Sequence, residues 1–191
     1  MARERKFTKQ DLYQATKKLL LKAGYEGFNF TSLAANLQVS RSAIYKYFKN
    51  KDHLISNYMV YETEKFVESL ATIDKITEFE QQFDFLLRCI LDDKESQRIR
   101  EMAIKLPEIN SKFSEENKQR LAELHREMHT CLQNFIHKGK EDNHFHPHIP
   151  NSLILGFIFN TIDLPNHENI STEQWIGHIK DILRHGIVTN I

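Results

Sequence analysis

Thr31-Ser-Leu-Ala-Ala-Asn-Leu-Gln-Val-Ser-Arg-Ser-Ala-Ile-Tyr-Lys-Tyr-Phe-Lys-Asn-Lys-Asp-His-Leu54 is the stretch on which the fold turns. Thr31 can cap a short helix that carries Leu33, Ala34 and Leu37, and Ser40 can cap another from Arg41 to about Phe48. About three residues, Gln38 to Ser40, separate the two, which is helix-turn-helix spacing. Leu33, Ala34, Leu37, Val39, Ile44 and Phe48 are apolar and fall to the core.

A helix-turn-helix lays its first helix across a nucleic-acid backbone and sends the start of its second into the major groove. At that start Arg41 can fork onto guanine O6 and N7, Ala43 can touch a thymine methyl, and Ser42 can donate or accept. Neighbouring residues suit phosphates: Thr31 and Ser32 at a helix N-terminus, Tyr45 and Tyr47 through their hydroxyls, and Lys46, Lys49 and Lys51 through their charge. Charge distribution agrees. The 191 residues hold 26 basic and 26 acidic side chains, yet residues 1–53 carry eleven Lys or Arg against four acids, a net of +7, and the remainder carries −7.

Flanking elements read as helices. Thr8 and Asp11 make a variant capping box ahead of Leu12, Ala15, Leu19 and Ala23, and Gly24 closes that helix. Asn50 can cap a helix carrying Leu54, Tyr58, Tyr61 and Phe66 to about Leu70. Further stripes are Phe79, Phe83, Leu86, Leu87 and Ile90, then Ile99, Met102, Ala103 and Leu106 ending before Pro107. The longest helix spans about Ser111 to Lys138 and is stopped by Gly139, followed by a polar loop from Lys140 to Ile149. Pro150 at N1 opens a helix over Leu153 to Leu164 that is apolar nearly all round, so it must be covered on more than one side. Ser171 and Gln174 box the start of the last helix, where Trp175, Ile179 and Ile182 form one stripe and Ile176, Leu183 and Ile187 its flank.

Six Gly and four Pro, with no Pro before Pro107, are too few turn residues for a β-rich fold. The expectation is therefore all-α, about nine helices, with a helix-turn-helix domain at 1–53, a connecting helix at 54–72 and a helical domain at 73–191. No apolar run approaches the roughly 18 residues of a membrane span, and the basic opening leads into a polar stretch rather than a signal segment, so no membrane partner and a cytoplasmic location are expected. Cys89 and Cys131 lie far apart, outside any paired spacing.

The 31–54 stretch resembles the DNA-binding signature of the TetR family of bacterial transcriptional regulators: Ile44-Tyr45, then Tyr47-Phe48, then Lys51-Asp52 and Leu54. The resemblance is specific over residues 8–58, with one departure, Gln38 in place of the usual Gly at the start of the turn. If that position needs positive φ, the side chain costs on the order of 1 kcal/mol there. The resemblance implies a homodimer reading a near-palindromic double-stranded operator with two recognition helices roughly 34–36 Å apart. It further implies a small-molecule inducer held between the helices of the second domain, for which Phe83, Leu87, Met102, Leu106, Phe113, Leu124, Met128, Cys131, Phe135 and Phe157 are the candidate, apolar or aromatic, lining. The apolar helix around Leu153 and Phe157 and the broad face of Trp175, Ile179 and Ile182 independently suit an isologous four-helix interface.

No catalytic constellation, cofactor motif or metal signature accompanies these features, so neither an enzyme nor a resident cofactor is expected. His125 and His129 share a helix face, and His144, His146 and His148 alternate in a loop, which keeps a metal-responsive regulator as an alternative beside a redox-responsive or effector-free one. A helical di-iron enzyme is the distant alternative; it needs two Glu-x-x-His pairs on separate helices, and only Glu141 to His144 has that spacing.

Overall fold

A computed structural model describes residues 7–91, 95, 98–99 and 113–187. Among these, regular structure is helical: α1 (Lys9–Gly27), α2 (Phe30–Asn36), α3 (Arg41–Tyr45), α4 (Lys51–Leu70), α5 (Phe79–Leu91), α6 (Glu115–Glu141), α7 (Asn151–Asn160) and α8 (Thr172–Ile187). Short 3₁₀ turns, Ala71–Lys75 and Thr161–Asp163, extend α4 and α7. Of the helix expected to end before Pro107, residues 98 and 99 are helical and Ile99 is buried, while Met102, Ala103 and Leu106 lie outside the described residues.

The chain divides into two compact units, Met1–Glu64 with Glu95–Ala122, and Lys65–Lys94 with Glu123–Ile191. In the first, Leu12, Leu20, Leu33, Ile44, Leu54, Ile55 and Tyr58 build the core, joined by Phe113 and Leu121 from the later segment. α1 starts as its sequence dictates: Thr8 Oγ1 accepts the Asp11 amide at 3.0 Å, and the Asp11 carboxylate accepts the Thr8 amide at 2.9 Å. Gly24, at φ 66, breaks the helical path as a closing glycine should, and a last short turn reaches Gly27. α4 is capped by Asn50, whose Oδ1 accepts the His53 amide at 2.8 Å.

The second unit packs Leu86, Leu87 and Ile90 of α5 with Leu132, Phe135 and Ile136 of α6, Ile154 and Ile158 of α7, and Ile176, Ile179 and Leu183 of α8. Phe145 fills its centre, edge-on to Phe79 and Phe135 at 5.1 and 5.6 Å. α5 and α8 are also clamped by charge, Lys180 Nζ lying 2.7 Å from Asp84 and 3.2 Å from Glu80, with Arg184 3.1 Å from Glu80. Burial pulls the Lys180 ammonium down, but its hydrogen bonds to Asp84 and Glu80 outweigh that and leave its pKa raised.

Several helix ends differ from the sequence expectation. Gly139 does not stop α6, which continues to Glu141; Asn143 takes the left-handed conformation at φ 58 instead. His144 N–H donates to the Gly139 carbonyl at 2.7 Å and Asn143 N–H to the Lys140 carbonyl at 3.1 Å, a Schellman closure. Gly139 serves packing, since a Cβ there would stand 2.6 Å from the Phe145 ring. Pro150 occupies the N-cap position rather than N1, and α7 proper ends at Asn160. The Ser171–Gln174 box forms, the Ser171 hydroxyl accepting the Gln174 amide at 3.2 Å.

Candidate nucleic-acid interface

The helix-turn-helix is assembled from caps. Asn29, not Thr31, caps α2: its side chain accepts the Ser32 amide at 2.9 Å, so Thr31 and Ser32 sit inside the first turn, both exposed. That moves the N-terminus one residue before Thr31 and commits one of its amides to Asn29. At the other end Gln38 adopts φ 53, its N–H donating to Ala35 at 3.2 Å and the Val39 N–H to Ala34 at 2.9 Å. The turn is therefore a second Schellman closure, and the positive-φ position where Gly is usual is filled by glutamine.

α3 is a single short turn-and-a-half anchored by Ile44, which is 0% exposed. It ends at Tyr45 rather than near Phe48, although the Tyr47 and Phe48 amides still donate to the Ile44 carbonyl at 2.9 and 3.1 Å. Ser40 stands at its N-cap, but the hydroxyl pairs with the Ser42 hydroxyl at 2.9 Å instead of capping an amide. With Ile44 inward, Arg41, Ser42, Tyr45 and Lys46 are exposed, and Ala43 is half-buried. Tyr45 is 50% exposed, yet its ring meets the buried Phe30 ring edge-on at 5.0 Å, and the Arg41 guanidinium lies 6.0 Å from its centroid. Tyr47 is exposed and meets Phe7 edge-on at 5.9 Å; together with Lys9, Leu12, Tyr13, Phe48 and Asn57 the two line a cleft of about 230 Å³.

Lys51 has a structural partner that the sequence did not disclose. Its Nζ donates to the Tyr25 carbonyl at 3.0 Å and lies 4.5 Å from the Tyr25 ring centroid, with Glu26 3.9 Å away. The Tyr25 hydroxyl in turn donates to Asp52, and burial followed by that hydrogen bond raises the phenol pKa. The end of α1 is thus clasped to the start of α4 by two adjacent residues of the signature.

The remaining candidates are dispersed. Phe83, Leu87 and Phe135 are buried in the second unit's core, with Met128 and Cys131 packed at its edge, and Leu124 is buried on α6. Phe113 lies in the first unit's core, and Phe157 is 55% exposed. The Cys131 thiol sits 3.7 Å from the Leu70 carbonyl, and burial, then Asp74, raises its pKa. Leu153 and Ile182 are exposed, Trp175 is half-buried, and Ile179 turns inward to the unit's own core. His144 stacks on Phe79 at 4.2 Å; among the described residues no group of three or more His, Cys, Asp or Glu side chains is placed to hold a metal ion. No helix among them is long and apolar enough to cross a membrane.

Residues 12–57, from Leu12 of α1 into α4, match the family model of bacterial regulatory proteins, tetR family. That stretch carries the helix-turn-helix of the tetR family. The fold of the described residues is TetR-like. A tetR-family regulatory protein from Rhodococcus RHA1 aligns at a TM-score of 0.77 with 16% identity, covering 96% of this chain and all 100% of that one. A transcriptional regulator from Saccharomonospora viridis in complex with choline aligns at 0.75 with 14% identity over 95% and 97% of the two chains. FadR from Bacillus subtilis in complex with stearoyl-CoA aligns at 0.70 with 15% identity over 94% and 100%. No curated protein matches the sequence.

Proposed function

We propose that this chain is a cytoplasmic, non-enzymatic repressor of the TetR family that binds a near-palindromic operator as a homodimer and leaves it when a small apolar or aromatic ligand occupies the helical domain. The reading is carried by α3. Its one buried side chain, Ile44, fixes the helix face, and Arg41, Ser42, Tyr45 and Lys46 are exposed around it. In that orientation Arg41, Ser42 and Ala43 read base edges, while Thr31, Ser32, Tyr45, Lys46, Tyr47 and Lys49 meet phosphates. Lys51 contributes mainly by holding α1, since its ammonium already has the Tyr25 carbonyl.

Dimerisation is supported by Leu153 and Phe157 of α7 and Ile182 of α8, apolar side chains left exposed on two helices that pack against each other. Ligand control is supported by relatives of the same fold crystallised with stearoyl-CoA and with choline, and by the aromatic and aliphatic composition of the second unit's core. Release then follows from the ligand's greater affinity for the dimer whose heads do not match operator spacing.

The test is selection of genomic DNA fragments by the purified full-length chain, followed by titration of a recovered duplex. A recovered inverted repeat, bound with two chains per duplex, supports the proposal. Indiscriminate binding, or one chain per duplex, overturns it. Candidate ligands are then screened for release of that duplex, stearoyl-CoA and choline first.

A further inference from the structure

The Arg41, Tyr45 and Phe30 side chains form a ladder on the outer face of the helix-turn-helix. Phe30 is buried at the start of α2, and its ring supports the ring of Tyr45 at 5.0 Å with an interplanar angle of 67°. One helical turn before Tyr45, at i and i+4, the Arg41 guanidinium stands over the Tyr45 face at 6.0 Å. An arginine has a long, rotamer-rich side chain, and ordering it on binding costs conformational entropy. A guanidinium already held against a ring that is itself held against the core pays less of that cost.

We infer that Tyr45 is a positioning residue for base reading: its ring, buttressed by Phe30, orients Arg41 toward one base pair, separately from any contact its hydroxyl makes with a phosphate. This rests on the reading of α3 given above. The ring and the hydroxyl then have separable effects. Loss of the hydroxyl weakens all sequences alike, because phosphates carry no sequence information. Loss of the ring weakens discrimination at the one base pair that Arg41 reads, by about two- to fivefold, the size of an exposed cation–ring contact.

The full-length protein, its R41A, Y45F and Y45L variants and the R41A/Y45L double variant are each used to select from a pool of randomised duplexes, giving a base preference at every position. Tyr45 is half exposed, so neither substitution is expected to disturb folding, and matching circular dichroism and melting curves check this. The expected result is that R41A flattens preference at one position, Y45F leaves it intact, Y45L reduces it at that same position, and the double variant is no flatter there than R41A. A preference profile unchanged in Y45L, or changed at other positions only, overturns the inference while leaving the role of Arg41 standing. A profile unchanged in R41A overturns the reading of α3 itself and the inference with it. If Y45L melts early, Tyr45→Trp replaces it: retained preference at that position with a ring of different size supports the ladder, and its loss overturns it.

Discussion

Gln38 holds a φ of 53 at the turn between α2 and α3, a conformation that L side chains enter at a cost of about 1–2 kcal/mol and glycine enters freely. Glycine loses more backbone entropy on folding, which offsets part of that gain. Gln38→Gly should therefore stabilise the helix-turn-helix by about 0.5–1 kcal/mol, read as a shift in denaturant midpoint, while base preference stays the same. Gly139 is the opposite case. Its φ is helical, but a Cβ would stand 2.6 Å from Phe145 and 3.2 Å from Phe79, both within a packed core, so Gly139→Ala should cost about 1–3 kcal/mol by overpacking. An unchanged midpoint would show that Phe145 has room to move. The two positions mark what a sequence discloses about single residues. Positive φ at Gln38 was legible only as a condition, through the resemblance that puts Gly at that position, and the Schellman closure of α2 meets it. Gly139 reads as a helix stop until the loop after α6 brings back Phe145, six residues on, to lie against it.

Helices were legible where their caps lie in the chain itself. The Thr8–Asp11 and Ser171–Gln174 boxes form as their spacing dictates, and Asn50 caps α4. The start of α2 was not, because Asn29 and Thr31 are both good caps two residues apart, and burial of Phe30 favours the earlier one. The clasp of Lys51 and Asp52 on Tyr25 was invisible for another reason: it joins residues 26 and 27 positions apart, and no local pattern reports such a pair. Two predictions belong to these elements. Hydrogen bonds from the Thr8 backbone and then its hydroxyl lower the Asp11 pKa below its ordinary value of 3.8. A carboxylate so depressed adds stability that is present above the ordinary value and is lost as pH falls through the lowered one. Asp11→Ala should accordingly speed amide exchange in the first turn of α1 at neutral pH, with the difference closing as pH falls below the ordinary carboxylate value and through the lowered one; a difference that persisted once the carboxyl is protonated would show that its charge is not what caps the helix. Lys51→Met keeps the aliphatic stem and removes the ammonium from the Tyr25 carbonyl. It should cost about 1 kcal/mol of stability and leave the salt dependence of DNA binding unchanged, whereas Lys46→Met should flatten the log-log salt slope by about one unit. Equal slopes for the two variants would return Lys51 to the phosphates.

At the scale of the molecule, zero net charge conceals a basic head and an acidic remainder, and a single head offers DNA only a few exposed residues on α3 and around it. Five helical residues in one groove read too little sequence to pick an operator from a genome. Joining two heads makes the second contact intramolecular, which raises overall affinity by about 10²–10⁴ without any new residue. The surface proposed for joining is apolar and on the second unit, where Phe157 is 55% and Ile182 71% exposed, on helices whose inward faces already hold Ile154, Ile158, Ile176 and Ile179. Exposed aromatic and aliphatic side chains beside a complete core are what an isologous interface needs and what a solvated helix avoids. The double variant Phe157→Glu with Ile182→Glu places charges where the copies would meet while leaving each unit's core untouched. Light scattering coupled to size exclusion should show a monomer with unchanged helical content, and affinity for the selected inverted repeat should fall by about a hundredfold or more, with binding to a single half-site unaffected. A variant that remained dimeric would place the interface elsewhere. One that became monomeric but kept full affinity would mean that a single head suffices, and the two-headed reading of the operator would fail.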